Sequence, residues 1–473
     1  MNPLARFLLA GLLGATGCTV GPEFKTPVTA LPEHFNAAST AEFNQQQIEI
    51  HWWRLFQDAQ LSTLVEQTLT HNHELAAATA NLQAARALYQ EAGLSFAPTV
   101  TTHANYTDQL RSVGALNNRA FVPRDLSLYN MGFDASWELD LFGRVRRNVE
   151  ASNAAVQISV ASRDALRVSL IAEVARNYFE LRGLQKQQQV IAQNISNQEQ
   201  ILQVVQAKLA YGRGTALDRA RMQAQLAATR ALLPSLSSAR SQAMHRLSVL
   251  CGQLPAALSA QLEPVAAMPK APLSIKLGNP ADLLRRRPDI RMVEQNLAAS
   301  TARIGVATAD LFPRVTFVGT LSLEGSSFAS LGATGSDSYS LGPRISWAAM
   351  DLQRVHARID AANAHASADL AQYQQAVLNA LEETENTLAN YVQTAQKLQL
   401  LAEAVKADAE AQHLASTQYQ AGAIDFLTML DTQQRWLNDQ NQLAQAETAK
   451  ATALVALYKA LGGGWEASGE KCC

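Results

Sequence analysis

Residues 129–140 read Tyr-Asn-Met-Gly-Phe-Asp-Ala-Ser-Trp-Glu-Leu-Asp, an apolar–polar alternation without a miss. Successive side chains of an extended chain face opposite ways. Tyr129, Met131, Phe133, Ala135, Trp137 and Leu139 therefore share one side of a strand, and Asn130, Gly132, Asp134, Ser136, Glu138 and Asp140 the other. Upstream, Val100, Thr102, Ala104 and Tyr106 alternate with Thr101, His103, Asn105 and Thr107. Together the two runs predict a β-hairpin over about 99–141. A second hairpin is predicted over about 314–350, with Val315, Phe317, Leu321 and Leu323, then Tyr339, Leu341, Ile345 and Trp347 on its apolar side. Gly319 and Pro343 weaken those strands. Strands of about ten residues with aromatic ends and one polar face match those of outer-membrane barrels. A half-buried soluble sheet alternates in the same way. The polar loops 112–126 and 325–338, together with an export signal at the N-terminus, favour lipid.

Helical periodicity fills most of the remaining chain. One helix is predicted from about Gln57 to Ser95, on the spacing of Leu61, Leu64, Val65, Leu69, Leu75 and Leu82, with Pro98 beyond its end. From Arg144 to about Tyr211 there is no proline and one glycine, Gly183, which predicts a helix of about 100 Å. Residues 215–250 predict a helix kinked at Pro234. Residues 281–312 are predicted helical up to Pro313, 353–419 hold neither proline nor glycine, and 424–461 form the last helix before Gly462-Gly463-Gly464. The chain repeats itself: Pro98 matches Pro313, Trp137 matches Trp347, Arg144-Val145 matches Arg354-Val355, Tyr211 with Gly214 resembles Tyr419 with Gly422, and Leu250-Cys251-Gly252 matches Ala460-Leu461-Gly462. One unit of short helix, hairpin, very long helix and medium helix is duplicated.

The N-terminus reads as an export signal. Arg6 supplies charge, Phe7 to Ala15 is a short apolar run, and Ala15-Thr16-Gly17 precedes Cys18. Small residues before a cysteine suit lipoprotein processing, which acylates the thiol and makes Cys18 the first mature residue; an ordinary signal peptide has small residues there too. Thr19 stands where an Asp favours inner-membrane retention, so the expected address is the cell outer membrane. Several acyl chains make a stable anchor.

The resulting organisation is a signal peptide at 1–17, a lipid-anchored, proline-containing leader along the surface at 18–56, a first repeat at 57–263, a linker at 264–280, a second repeat at 281–462 and a tail at 463–473 that holds Cys472 and Cys473. Net charge is −2 over 473 residues, with no basic excess to release counterions from phosphates, so nucleic acid is not expected as a partner. No metal-ligand set and no enzymatic motif appears: His71 and His73 flank Asn72 and point apart on a helix, with no cysteine near. Apart from the lipid on Cys18, no cofactor is expected.

Four strands cannot close a barrel, and open edges are not tolerated in hydrocarbon. Eight strands leave an interior filled by side chains, whereas twelve leave a lumen. Polar inward faces favour twelve, hence a homotrimer. The long helices are rich in Ala, Gln, Asn and Ser and lack sustained leucine heptads, which speaks against a plain coiled coil. The expected fold is an α+β membrane protein: a trimeric 12-stranded barrel, four strands per chain, on a long α-helical periplasmic tunnel.

Residues 51–57, His-Trp-Trp-Arg-Leu-Phe-Gln, resemble the start of an outer membrane efflux lipoprotein. The stretches Arg286-Arg287-Pro288-Asp289-Ile290-Arg291, Glu294-Gln295-Asn296-Leu297, Ala302-Arg303-Ile304-Gly305-Val306-Ala307 and Leu311-Phe312-Pro313 resemble the second-repeat signature of the same family, and Gly21-Pro22-Glu23-Phe24 its leader. The family is that of the TolC-like outer membrane factors, in the OprM/NodT lipoprotein branch. The resemblance covers essentially the whole chain. It implies the exit channel of a tripartite efflux pump for drugs or other small molecules, working with a periplasmic adaptor protein and an inner-membrane transporter of RND or related type. A non-conducting structural envelope lipoprotein is the alternative.

The turns at Tyr211-Gly212-Arg213-Gly214-Thr215 and Tyr419-Gln420-Ala421-Gly422 join helices. By the resemblance they are the tips that meet the adaptor, through Gly212, Gly214 and Gly422. The resemblance also implies a closed periplasmic gate just beyond the second tip, with an apolar ring at Leu427 and a carboxylate ring at Asp431. Arg435 lies four residues on and is spaced to pair with Asp431. Some relatives carry an arginine three residues after the aspartate, where this chain has Gln434.

Overall fold

The computed structural model describes residues 19–29, 31–36, 43–44, 46, 48–114, 123–272 and 274–465. Its elements run β1 (Phe43–Asn44), α1 (Ala59–His71), α2 (His73–Leu94), β2 (Thr99–Leu110), β3 (Asp125–Leu139), α3 (Arg144–Ala210), α4 (Ala216–Arg230), α5 (Leu232–Leu250), α6 (Ser259–Leu262), β4 (Ile275–Lys276), α7 (Pro280–Arg286), α8 (Pro288–Ala309), β5 (Arg314–Gly325), β6 (Asp337–Ser346), α9 (Leu352–Ala421) and α10 (Phe426–Ala460). The chain forms two compact units. One comprises Met1–Val28, Asn81–Val160 and Met292–Gln374, the other Thr29–Ala80, Ala161–Arg291 and Gln375–Cys473.

The first unit holds the sheet. Its order is β2-β3-β5-β6, antiparallel throughout, so the two hairpins join through β3 and β5. The register aligns Thr102 with Phe133 and Leu321 with Tyr339, and Phe133 faces Leu321, which keeps the apolar side chains of all four strands on one face. The leader is clamped to this unit. Val20 donates its N–H to the Phe142 carbonyl at 3.2 Å, and the buried Arg147 donates to the carbonyls of Val20 and Gly21. Gly21 lies so close to Gly305 that a Cβ on it would stand 2.4 Å from the Gly305 Cα.

The second unit holds the main core, in which Trp52, Leu61, Leu64, Ile171, Phe179 and Leu454 are almost fully buried. Trp52 stacks on Tyr458 with ring centroids 5.1 Å apart. The surface leader enters this core: Phe35 and Ile48 are buried, and β1 pairs in parallel with β4, inside the stretch expected to be only a linker.

The duplication extends to single atoms. Asn72 donates from Nδ2 to the Leu250 carbonyl at 2.9 Å, and Arg287 donates to the Ala460 carbonyl at 3.0 Å. Each of these residues interrupts a helix, and each ties that break to the end of its repeat's last helix. Past those ends, Gly252 and Gly462 adopt φ of +72° and +73°, a left-handed backbone open to glycine. Arg287 is more heavily loaded than Asn72. It also bonds both carboxylate oxygens of Asp289 and lies 2.7 Å from Glu383 Oε2. Burial alone would raise Asp289, but the Arg287 guanidinium outweighs it and holds that carboxyl below its usual range.

Three helix expectations are corrected. The helix over 57–95 is two, because Asn72 takes an extended conformation, with its amide on Leu250 and its Oδ1 accepting from Leu75 N. An Asn side chain can replace a helical bond in this way. The helix over 281–312 breaks at Arg287, where the following Pro288 forces an extended backbone. The helix over 215–250 is interrupted at Ala231 and not at Pro234 itself. Pro234 lacks the N–H that would reach back four residues to Arg230, so the helix ends there.

Three glycines separate backbone strain from crowding. Gly212 and Gly422 have φ of +67° and +81° with nothing within 4 Å of an added Cβ, whereas a Cβ on Gly252 would lie 2.2 Å from the His71 carbonyl oxygen. Gly422→Ala is expected to cost about 1–2 kcal/mol of stability. Gly252→Ala adds overpacking of roughly 1–3 kcal/mol, so its thermal unfolding midpoint, read by circular dichroism, should fall clearly further. Equal midpoints in the two variants would show that the His71 carbonyl yields freely.

Candidate functional site

The sheet presents two faces of opposite character. On the apolar one, Phe133, Leu321, Tyr339, Leu341 and Ile345 are all more than half exposed, Tyr339 at 82%. A half-buried soluble sheet would cover this face. Aromatic residues gather toward both ends of this face, with Phe133 and Tyr339 between them. Tyr106 and Tyr129 pack at 4.7 Å, with Phe328 next to Tyr129 at 6.1 Å, on the side of the hairpin loops. Trp137 and Phe317 are register partners at the other end, with Trp347 just beyond β6. From Tyr129 to Trp137 the strand advances eight residues, about 27 Å before tilt, close to the roughly 25 Å apolar band of a membrane barrel. Both tryptophans satisfy their indole N–H in the same way: Trp137 donates to Phe96 O at 2.9 Å and Trp347 to Leu311 O at 3.0 Å, each acceptor two residues before Pro98 or Pro313.

On the polar face His103 bonds Asn130, which donates to Glu324, while Thr320 donates to Asp134, whose Oδ2 lies 2.7 Å from His103 Nδ1. Toward the other strand ends, Glu138 pairs with Arg144, and Arg314 with Asp310. The outer edges of β2 and β6 have no strand partner among the described residues.

The second candidate region is the pair of helix turns in the other unit. After α3, Arg213 N donates to Lys208 O at 2.8 Å; after α9, Ala423 N donates to Gln418 O at 2.8 Å. Both bonds span five residues and bracket a left-handed glycine, Gly212 or Gly422. These turns therefore correspond at an offset of 210, and Gly214, with an ordinary φ, is not the counterpart of Gly422. The next helices begin at matching caps: Thr215 forms a capping box with Asp218, and Asp425 accepts from Thr428 N at 2.7 Å. That bond, with those of the neighbouring groups, holds the Asp425 carboxyl below its usual range.

A small core of Val205, Met222, Tyr419, Phe426 and Met429 seals the turns. Lys208 spans them: its Nζ lies 3.9 Å from the centre of the Tyr419 ring and donates to the Tyr419 carbonyl. Burial, then the Asp218 charge, pushes the Tyr419 phenol up. Just beyond, Leu427 is 55% exposed, and Arg435 reaches Asp431 at 3.1 Å across one turn of α10. Both members of that pair are largely in solvent, which limits it to about 0–1 kcal/mol. Leu217, at the same offset in α4, is as exposed as Leu427.

Of the residues singled out from sequence, Leu427, Asp431 and Arg435 share one face of α10, and Gly212 and Gly422 sit at the turns. Cys18, Cys472 and Cys473 lie outside the described residues. Two features escaped sequence reading, the Lys208–Tyr419 tie and the group around His103. The only hint of the first was a cation in the last turn of α3, where the helix dipole favours one. Among the described residues, no three His, Cys, Asp or Glu side chains group to hold a metal, and no helix is long and apolar enough to cross a membrane.

Comparison with known proteins agrees with this geometry. The family model for outer membrane efflux protein matches residues 64–253 and 279–463, one block per repeat. Nodulation protein T of Rhizobium leguminosarum bv. trifolii is 29% identical over 95% of this chain and 95% of its own length. The pyoverdine export outer membrane protein OpmQ of Pseudomonas aeruginosa is 30% identical over 96% and 95%. Among solved structures, the outer-membrane channel OprN superposes with a TM-score of 0.88 at 40% identity, covering 95% of this chain and all of its own. The chain belongs to the outer membrane efflux protein family and is an efflux channel of the outer membrane.

Proposed function

We propose that the chain is the exit duct of a tripartite pump, passing small molecules from a periplasmic adaptor and an inner-membrane transporter to the exterior. The observation that carries this reading is a four-stranded sheet with one exposed apolar face, one polar face and two unpartnered edges. Three copies, edge to edge, make twelve strands and satisfy every edge group in hydrocarbon. The polar faces then line a lumen, and the aromatics at the two ends sit at the two interfaces, Trp137 and Trp347 at the periplasmic one. A non-conducting spacer has no need of a polar face turned away from lipid. Conductance in planar bilayers separates the two readings, and its absence from purified trimer would leave the spacer.

An open duct would leak, so the resting state is closed at the tips, at Leu427 and Asp431. The adaptor opens it by binding the turns at Gly212, Gly214 and Gly422 more tightly in the open state, since only differential affinity shifts a population. Arg435 tempers the charge of the Asp431 ring. Cys18 carries the lipid. The clamp of Thr19–Gly21 on the sheet-bearing unit supports an anchor held beside the barrel.

The double change Leu427→Ala/Asp431→Ala should raise single-channel conductance, weaken block by divalent cations and admit a large antibiotic such as vancomycin. Asp431→Ala alone should relieve divalent block more than it widens the pore. Unaltered conductance with normal trimer moves the constriction elsewhere. Phe133→Arg should cost roughly 2–4 kcal/mol per subunit near mid-bilayer, lowering the yield of heat-resistant trimer, while Asp134→Asn leaves that yield unchanged. Cys18→Ser should abolish incorporation of labelled palmitate without blocking export; equal label in both proteins rules out acylation at that residue.

A further inference from the structure

The end of the sheet away from the hairpin loops gathers arginines. On the polar face the register sets Glu138 of β3 beside Thr316 of β5 and Thr316 beside Arg344 of β6, with Arg314 two residues from Thr316 on the same side. Next to them stand Arg144 and Arg146 at the start of α3, Arg354 and Arg358 in the first turns of α9, and Asp310 just after α8.

Pairing leaves a surplus. Arg144 is matched by Glu138, Arg146 by Asp140 and Arg354 by Asp351. Asp310 serves two arginines, with Oδ1 3.2 Å from Arg314 and Oδ2 3.5 Å from Arg358. Arg344 is exposed, and its guanidinium has no carboxylate partner among the described residues. Six guanidinium groups therefore meet four carboxylates, an excess of two positive charges per chain. A guanidinium keeps its proton in proteins, so this excess does not depend on the bonds around it. It is also local. From this end toward the hairpin loops, the polar face of the strands presents Asp134 and Glu324 and no lysine or arginine.

We propose that these arginines form a cationic belt at the periplasmic end of the barrel lumen, where it gathers solutes bearing a carboxylate, phosphate or sulfate group as they pass from tunnel to barrel. Arg344, free of any carboxylate, is the side chain that meets them. A wall with one sign of charge and low-dielectric surroundings raises the local concentration of the opposite ion. The proposal rests on the reading that the polar face lines the lumen.

The test is the reversal potential of purified trimer in planar bilayers under a KCl gradient around 0.1 M, in the Leu427→Ala/Asp431→Ala background, so that the tips contribute little. Arg344 has no ion pair to lose, so its variants form a clean charge series. Arg344→Gln should raise the K+/Cl− permeability ratio about twofold and Arg344→Glu about fourfold, the order expected of charges acting across about 10 Å of water at about 0.1 M salt. Arg344→Lys should stay near the parent. Inorganic tripolyphosphate should depress the parent's conductance at a several-fold lower concentration than that of Arg344→Gln. Asp134→Asn, which lowers the ratio if the polar face lines the lumen, reports on the reading beneath. If Asp134→Asn shifts the ratio and the Arg344 series does not, the belt fails while that reading stands. If neither shifts it, the reading itself fails. Arg344→Lys behaving as Arg344→Gln, or equal sensitivity of parent and Arg344→Gln to tripolyphosphate, also overturns the proposal.

Discussion

The backbone groups on the outer edges of β2 and β6 impose the strongest demand in this molecule. In water such edges are an aggregation hazard; in hydrocarbon they are forbidden. A four-stranded sheet bearing an exposed apolar face cannot resolve this alone. The consequences run outward from that one constraint. The number of chains follows from the number of strands needed to enclose water. Strand length follows from the thickness to be crossed, and the aromatics toward the two ends mark where crossing begins and ends. Strand β3 takes β5 as its second neighbour, which spends the inner edges of the two hairpins on each other and leaves one edge per repeat for neighbouring copies.

Duplication accounts for the economy of the rest. Each repeat turns its long helix back with a left-handed glycine and a bond spanning five residues, and each ties a helix break to the end of its last helix. The matching positions hold different side chains. Thr215 and Asp425 cap alike, whereas Arg221 stands where the second repeat has Asp431. Geometry is therefore kept by backbone and caps, and chemistry is free to diverge at the exposed positions that a partner or a passing molecule would meet.

The sheet was legible in sequence because a period of two survives intact over 129–140, and the register merely aligns what alternation had sorted. The long helices were legible from missing glycine and proline. The break at Asn72 was not, because its cause is a carbonyl 178 residues away. The first tip was misaligned by two residues, since Gly212 and Gly214 sit in one turn and only φ tells them apart. The group around His103 requires three strands in register, and the Lys208–Tyr419 tie requires two helix ends 211 residues apart. Those are long-range facts that local pattern does not carry.

The paired latches at Asn72 and Arg287 have the same form and unlike chemistry. An amide on a carbonyl does not titrate. Arg287 is held partly by Asp289, whose carboxyl is kept below its usual range in the fold. Such a group contributes fully above the pKa of the unfolded chain, about 4, and its contribution fades as pH falls through the lowered value. The two latches, alike in place, thus differ in their response to acid. Under strong acidification Arg287 loses one of the carboxylates that orient it toward the Ala460 carbonyl, whereas the Asn72 latch has no titrating partner to lose.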